Sequence, residues 1–419
     1  MIAHPGLRFA DHSVAVPLDH RRPERGTIEV FAREVVAADR AGDDLPWLLF
    51  LQGGPGGKSP RPVRAESWIG RAVQTHRLLL LDQRGTGRST PLTARTVGDR
   101  PAKELADHLR LFRADSIVAD AEILRERVAG GARWDTLGQS YGGFVTMSYL
   151  SAAPQGLRTC YVTGGLPGLT ATADQVYART YPRVAGKNAE FYRAFPGDAA
   201  AVRRIADHLS AADVRLPDGD RLTVERFRVL GNGFGMSYGY AQLHWLLDEA
   251  WHGDDLSDTF RYEVMALTGF VDQPLFALQE YCYGQSAEPT AWAAARALER
   301  HPEFAAGADP MLFTGEMMYP WMFDQIAALR PFAGAAGILA TADDWEPLYD
   351  RDRLAANEIP VMAAVYADDM YVDAGLSLAT AGAVGNVRTW VTNEHEHDGL
   401  RTAGDVVLGH LMEMASGLR

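Results

Sequence analysis

Gly138-Gln139-Ser140-Tyr141-Gly142 fits the pattern G-x-S-x-G. Glycines on both sides of a serine permit a turn tight enough to lift the hydroxyl clear of a sheet, where it can attack a carbonyl carbon. Such an attack creates an oxyanion, which needs backbone N–H donors aimed at it. The run Gln52-Gly53-Gly54-Pro55-Gly56-Gly57 offers a loop of that kind, so the expected donors are the N–H of Gly54 and that of Tyr141, the residue after the serine. No G-x-x-x-x-G-K-[ST] or G-x-G-x-x-G pattern follows, which argues against a phosphate cradle. A serine also needs a base and a carboxylate to orient it, expected in the order Ser, Asp, His at the ends of late strands. Asp369 and His397 occupy such places. Asp368 and Asp373 offer the same chemistry as Asp369, and His395 the same as His397.

These residues must be held by strands. The runs PWLLFLQGGPGG at 46–57, HRLLLLDQRGTG at 76–87 and RWDTLGQSYGG at 133–143 are short, apolar and closed by turn residues, the pattern of buried parallel strands. Ile117, Ala121, Leu124 and Val128 recur at spacings of three and four and predict an amphipathic helix over 115–128. Residues 13–18 and 27–35, separated by DHRRPERG, predict a leading antiparallel hairpin. From 166 to 340 the texture is helical, as at 176–183, 240–251 and 290–298. Strand patterns then return at 359–369 and 386–394, before a last amphipathic helix over 403–414. The expected fold is α/β with a mostly parallel sheet: a core of 1–165 and 341–419, interrupted by a helical cap of 166–340. DQRGTGRS, residues 82–89, is expected to knit the floor of the site, and Lys58 to be a surface charge.

At 419 residues the chain exceeds one small module, and its 47% hydrophobic content supplies a large core. Its net charge of −13 repels phosphate backbones and anionic headgroups, so neither nucleic acid nor a membrane is an expected partner. Two cysteines, Cys160 and Cys282, stand in no metal-binding or disulfide spacing, and no metal site is expected. The first residues lack the basic and apolar stretches of a secretory signal, and no apolar run approaches about 18 residues, so the expected compartment is the cytoplasm.

QGGPGG, DQRGTGRS, GQSYGG, DDMYVD and EHDGLR, spread through nearly the whole chain, resemble the proline iminopeptidases, also called prolyl aminopeptidases, of the α/β-hydrolase superfamily, and most closely their longer bacterial branch. The resemblance implies a serine peptidase that removes an amino-terminal residue, preferably proline, from peptides with a free amino terminus and uses no metal or organic cofactor. It matches Ser140 to the nucleophile, Asp369 to the triad acid and His397 to the base. One departure is Gln52, where the family's loop often carries His; the donor there is a backbone N–H, so the reaction is unaffected. A cationic amino terminus calls for a buried carboxylate, which family members of this type place in the cap; the candidates are Glu316 and Glu280. Tyr281, Tyr319 and Trp321 suit a pocket wall or the cap core equally. Rival readings are a tripeptidyl-type aminopeptidase or carboxylesterase on the same scaffold and, from a different class, a catalytically silent binding protein. The oligomeric state is open.

Overall fold

Strands rich in leucine and valine, buried on both faces, organise the chain. The computed structural model describes residues 2–285 and 288–418. Its main sheet contains β1 (Ile2–His4), β2 (Leu7–Pro17), β3 (Thr27–Ala37), β4 (Trp47–Leu51), β5 (Arg77–Leu81), β6 (Trp134–Gln139) and β7 (Leu157–Thr163). Two short strands, β8 (Trp251–His252) and β9 (Asp255–Leu256), pair apart from it, and β10 (Val361–Tyr366) and β11 (Val387–Thr392) complete it. The order is β1-β2-β3-β5-β4-β6-β7-β10-β11. From β5 to β11 every pairing is parallel, whereas β1, β2 and β3 join antiparallel. The hairpin expected at the amino terminus is therefore present, with both strands longer than their apolar residues suggested. β2 alternates between buried and exposed positions because one of its faces meets solvent.

Helices cover the sheet as their periodicity requires. Ala114–Val128 turns Ile117, Val118, Ala121 and Leu124 inward. The helix after Ser140, Tyr141–Ala152, is buried from Tyr141 through Ser151, as expected of a helix apolar all round and enclosed on every side. Between β7 and β10 lies the helical segment, opened by the 22-residue helix Ala173–Ala194. Thr172 and Gln175 cap that helix reciprocally, side chain to backbone N–H, at 3.3 and 3.0 Å. Phe191 stacks on Phe234 and meets Phe313 edge-on, giving the segment an aromatic centre of its own. Among the described residues no helix is long and apolar enough to cross a membrane.

The block after β5 fastens the core. The Arg84 side chain is wholly buried and donates through Nε and Nη2 to both oxygens of buried Asp120, at 2.7 and 2.6 Å. It also satisfies the carbonyls of Leu18 and Leu111, at 2.9 and 2.7 Å, tying the hairpin to the loop before Ala114–Val128. Removing Arg84 would leave buried Asp120 with His20 Nε2, at 2.8 Å, as its remaining partner among the described residues, at a cost of up to about 3–5 kcal/mol. Arg84→Met should therefore lower stability by about that amount, read as an earlier midpoint in a urea titration. Arg84→Met combined with Asp120→Leu should recover part of the loss, and a single variant with an unshifted midpoint would refute this role.

Candidate active site

Ser140 follows β6 with φ 54° and ψ −123°, a conformation that L side chains avoid unless the surroundings enforce it. Here the enforcement is packing around small neighbours. A Cβ on Gly142 would lie 1.9 Å from the Leu51 carbonyl oxygen, so only glycine lets the turn nest against β4. A Cβ on Gly53 would lie 2.9 Å from that of Ser140, which brings the Gly-rich loop after β4 directly against the serine. Gln83 Nε2 holds that loop by donating to the Gln52 carbonyl at 2.8 Å. Asp82 beside it accepts from the backbone N–H of Ser59 and of Arg88, at 3.1 and 2.9 Å, and pairs with Arg61. The segment 82–89 thus knits the floor of the site. Among the described residues nothing accepts from the N–H of Gly54 or of Tyr141, which leaves both amides available to an oxygen at Ser140.

His397 follows β11, and Asp369 follows β10. His397 Nδ1 meets Asp369 Oδ2 at 2.6 Å, with both side chains buried. Asp369 Oδ1 accepts from the N–H of Tyr371 and of Val372, at 2.8 and 3.1 Å, which fixes the carboxylate. Burial opposes charge on the imidazole, but Asp369, through its field and its hydrogen bond, and then Glu316 and Asp398 outweigh it and raise the pKa above 6.5. Two consecutive glycines join this pair to the serine: a Cβ on Gly164 would lie 3.1 Å from His397 Nδ1, and one on Gly165 2.4 Å from the Ser140 carbonyl oxygen.

The neighbouring candidates are separated by geometry. Asp368 is exposed and pairs with Arg183 at 3.1 Å. Asp373 caps the helix Ala374–Ala383 by accepting from the N–H of Leu376 at 2.9 Å. His395 lies edge-on to Tyr366 and Trp390. Of these groups, His397 and Asp369 are the ones brought together.

The two cap glutamates differ just as clearly. Glu316 is close enough to the pair for His397 to pull its pKa down and Asp369 to push it up, while burial dominates and sets it at about 8. Among the described residues nothing donates to its carboxylate, although Tyr177, Tyr283 and Tyr371 feel its charge. Glu280 is placed otherwise, with both of its oxygens engaged at a helix start. Its oxygens accept from the N–H of Ala293 and of Ala294, at 3.1 and 2.9 Å, so it caps the helix Ala293–Leu298. Burial lifts its pKa to about 7 against those bonds. Tyr319 belongs to the cap core, bonded to the Tyr181 hydroxyl at 2.9 Å with Trp321 stacked on it, and Tyr281 packs against Trp345. The aromatic rings near Glu316 are instead Tyr177, Tyr283 and Tyr371, and Tyr283 continues through Phe144 to Tyr141 at ring separations of 6.4 and 5.9 Å.

Sequence reasoning missed the groups that hold the histidine loop to the cap. Buried Lys187 Nζ donates to Glu396 Oε1 at 2.6 Å, the Ser237 hydroxyl donates to Asp398 at 2.8 Å, and the His397 N–H donates to the Gly235 carbonyl at 3.1 Å. The acids on either side of His397 in EHEHDGLR were the available signal, since acids flanking a buried histidine need partners of their own.

Residues 46–205 match the model of the alpha/beta hydrolase fold family. The chain is 45% identical over 414 residues to a proline iminopeptidase of Aeromonas sobria, covering 98% of this chain and 97% of that protein. It is 32% identical over 430 residues to a proline iminopeptidase of Aspergillus aculeatus, covering 98% and 94%. With a strained serine, a buried Asp–His pair and full-length similarity of this degree, the chain belongs to the proline iminopeptidase family of α/β hydrolases.

Proposed function

We propose that the chain is a serine aminopeptidase that binds a peptide by its free amino terminus and releases the first residue, preferably proline, with Ser140, His397 and Asp369 as its triad. The observation that carries this reading is the unpaired Glu316 carboxylate close to the His397–Asp369 pair. A carboxyl kept unpartnered among aromatic residues suits a cationic ligand group, and its closeness to the His397–Asp369 pair supports a role in holding the amino terminus of the peptide that the serine attacks.

In this mechanism Ser140 Oγ attacks the carbonyl carbon of the first residue while His397 Nε2 takes the hydroxyl proton, and Asp369 stabilises the imidazolium. The N–H groups of Gly54 and Tyr141 receive the oxyanion. Collapse breaks the C–N bond, the leaving amine takes the proton from His397, and an ester to Ser140 remains. Water, deprotonated by His397, then attacks the ester and frees the amino acid and the serine.

Release of the chromophore from a proline arylamide with a free amine, run beside its N-acetyl counterpart, tests the reading. The expected result is cleavage of the free-amine compound alone. Cleavage of neither would overturn the aminopeptidase assignment, and hydrolysis of a simple acyl ester in its place would favour a carboxylesterase.

A further inference from the structure

A general acid must stand beside the nitrogen it protonates, so the peptide beyond the scissile bond lies on the open side of His397. On that side runs a cavity of about 650 Å³ whose wall includes His397 together with Gln52 and Gln139, the residues just before Gly53 and Ser140. Its size is that of a small-ligand site. Phe50 and Trp68, stacked at 4.5 Å, give it an apolar wall. Its rim carries four cations, Lys58, Arg61, Arg64 and Arg401, against the carboxylates of Glu66 and Asp398. That sign is opposite to the −13 of the chain as a whole.

Several of these charges are already engaged. Arg61 pairs with Asp82, Arg64 pairs with Glu66, and Asp398 accepts from both the N–H and the hydroxyl of Ser237. Lys58 stands 3.5 Å from Asp272, with both side chains at least half exposed, and so keeps most of its charge available. Arg401 lies on the short helix Gly399–Thr402, four residues after His397. It donates from Nη1 to the Tyr238 hydroxyl at 3.3 Å and has no carboxylate partner among the described residues. A leaving fragment of one or two residues spans at most about 3.5 to 7 Å, so its terminal carboxylate falls within the reach of a guanidinium rooted one helical turn from the general acid.

We propose that this groove is the leaving-peptide site and that Arg401, assisted by Lys58, binds the terminal carboxylate of di- and tripeptides. The inference rests on the aminopeptidase reading and adds to it a substrate class: short peptides with a free acid terminus. Recognition at both ends, the amine at Glu316 and the carboxylate at Arg401, selects for length as well as for the first residue.

The test compares kcat/KM for a prolyl dipeptide as the free acid and as the carboxyl-terminal amide, in the wild type, in Arg401→Gln and in Arg401→Gln with Lys58→Gln. The wild type should prefer the acid by about fivefold, a value suited to a partly exposed charge pair. The preference should shrink toward unity in Arg401→Gln, and in the wild type on raising the salt concentration. Equal rates on acid and amide by the wild type, or a preference that survives in the double variant, would overturn the proposal. Proline arylamide, which carries no carboxylate, separates the two levels: failure of the wild type to cleave it removes the aminopeptidase reading, whereas cleavage of it without any acid preference removes only the groove.

Discussion

Ser140→Ala should lower kcat for a proline arylamide by about 10⁶, and Asp369→Asn by about 10⁴, with little change in KM and no loss of fold. On the proposed mechanism the serine variant removes the atom that forms the acyl-enzyme, so what should remain is the contribution of substrate binding and of the Gly54 and Tyr141 amides. The asparagine variant keeps the shape. Its side-chain oxygen can still accept from the N–H of Tyr371 and of Val372, but the group facing His397 Nδ1 no longer carries the charge that stabilises an imidazolium. Because the three groups act as a unit, the Ser140→Ala/Asp369→Asn double variant should be no slower than Ser140→Ala alone. Single-turnover and steady-state kinetics on the four proteins would measure this, with Asp368→Asn and Asp373→Asn alongside. If Asp369→Asn kept a tenth of the activity while either neighbour lost it, the triad would have to be redrawn around that neighbour.

Legibility in the sequence followed the range of the interactions. The elbow at Ser140 and the strands β4, β5 and β6 were readable because glycine spacing and apolar runs are local signals, and the packing of Gly142 against Leu51 follows from them. The choice among Asp368, Asp369 and Asp373 was not readable from local spacing and rested on the family resemblance alone. Adjacent acids in one turn differ only in where the chain points them, and the outcomes are a surface ion pair, a bond to histidine and a helix cap. The cap was harder still. Glu280 and Glu316 both sit among aromatic residues, but Glu280 is used by a helix start thirteen residues further along, a contact that no periodicity announces. Lys58 shows the same limit from the other side: it is indeed exposed, yet the chain folds it onto the rim of the cavity that reaches His397.

Glu316→Gln should lower kcat/KM for proline arylamide by about 10² to 10³, the loss expected when one partner of a desolvated ion pair is removed. The side-chain volume is unchanged, so the effect isolates the charge. Selectivity should move with it: the variant should lose most of the advantage that a free amine holds over an N-acetyl group, because the latter never engaged the carboxylate. The pH profile gives an independent readout. In the free enzyme burial holds the Glu316 carboxyl at about 8, while Asp369 and the Glu316 charge itself hold His397 above 6.5. On the proposed mechanism the active form has Glu316 ionised and His397 neutral, so kcat/KM should rise with pH as two protons leave, with a limiting slope approaching two on a logarithmic plot. In Glu316→Gln one of those protons is gone, and so is a negative charge that favoured the imidazolium. The ascending limb should fall to a slope of one and move to lower pH. A variant whose limb kept the wild-type slope and position would show that Glu316 does not titrate with the site, and the amine would then have to be bound by another group.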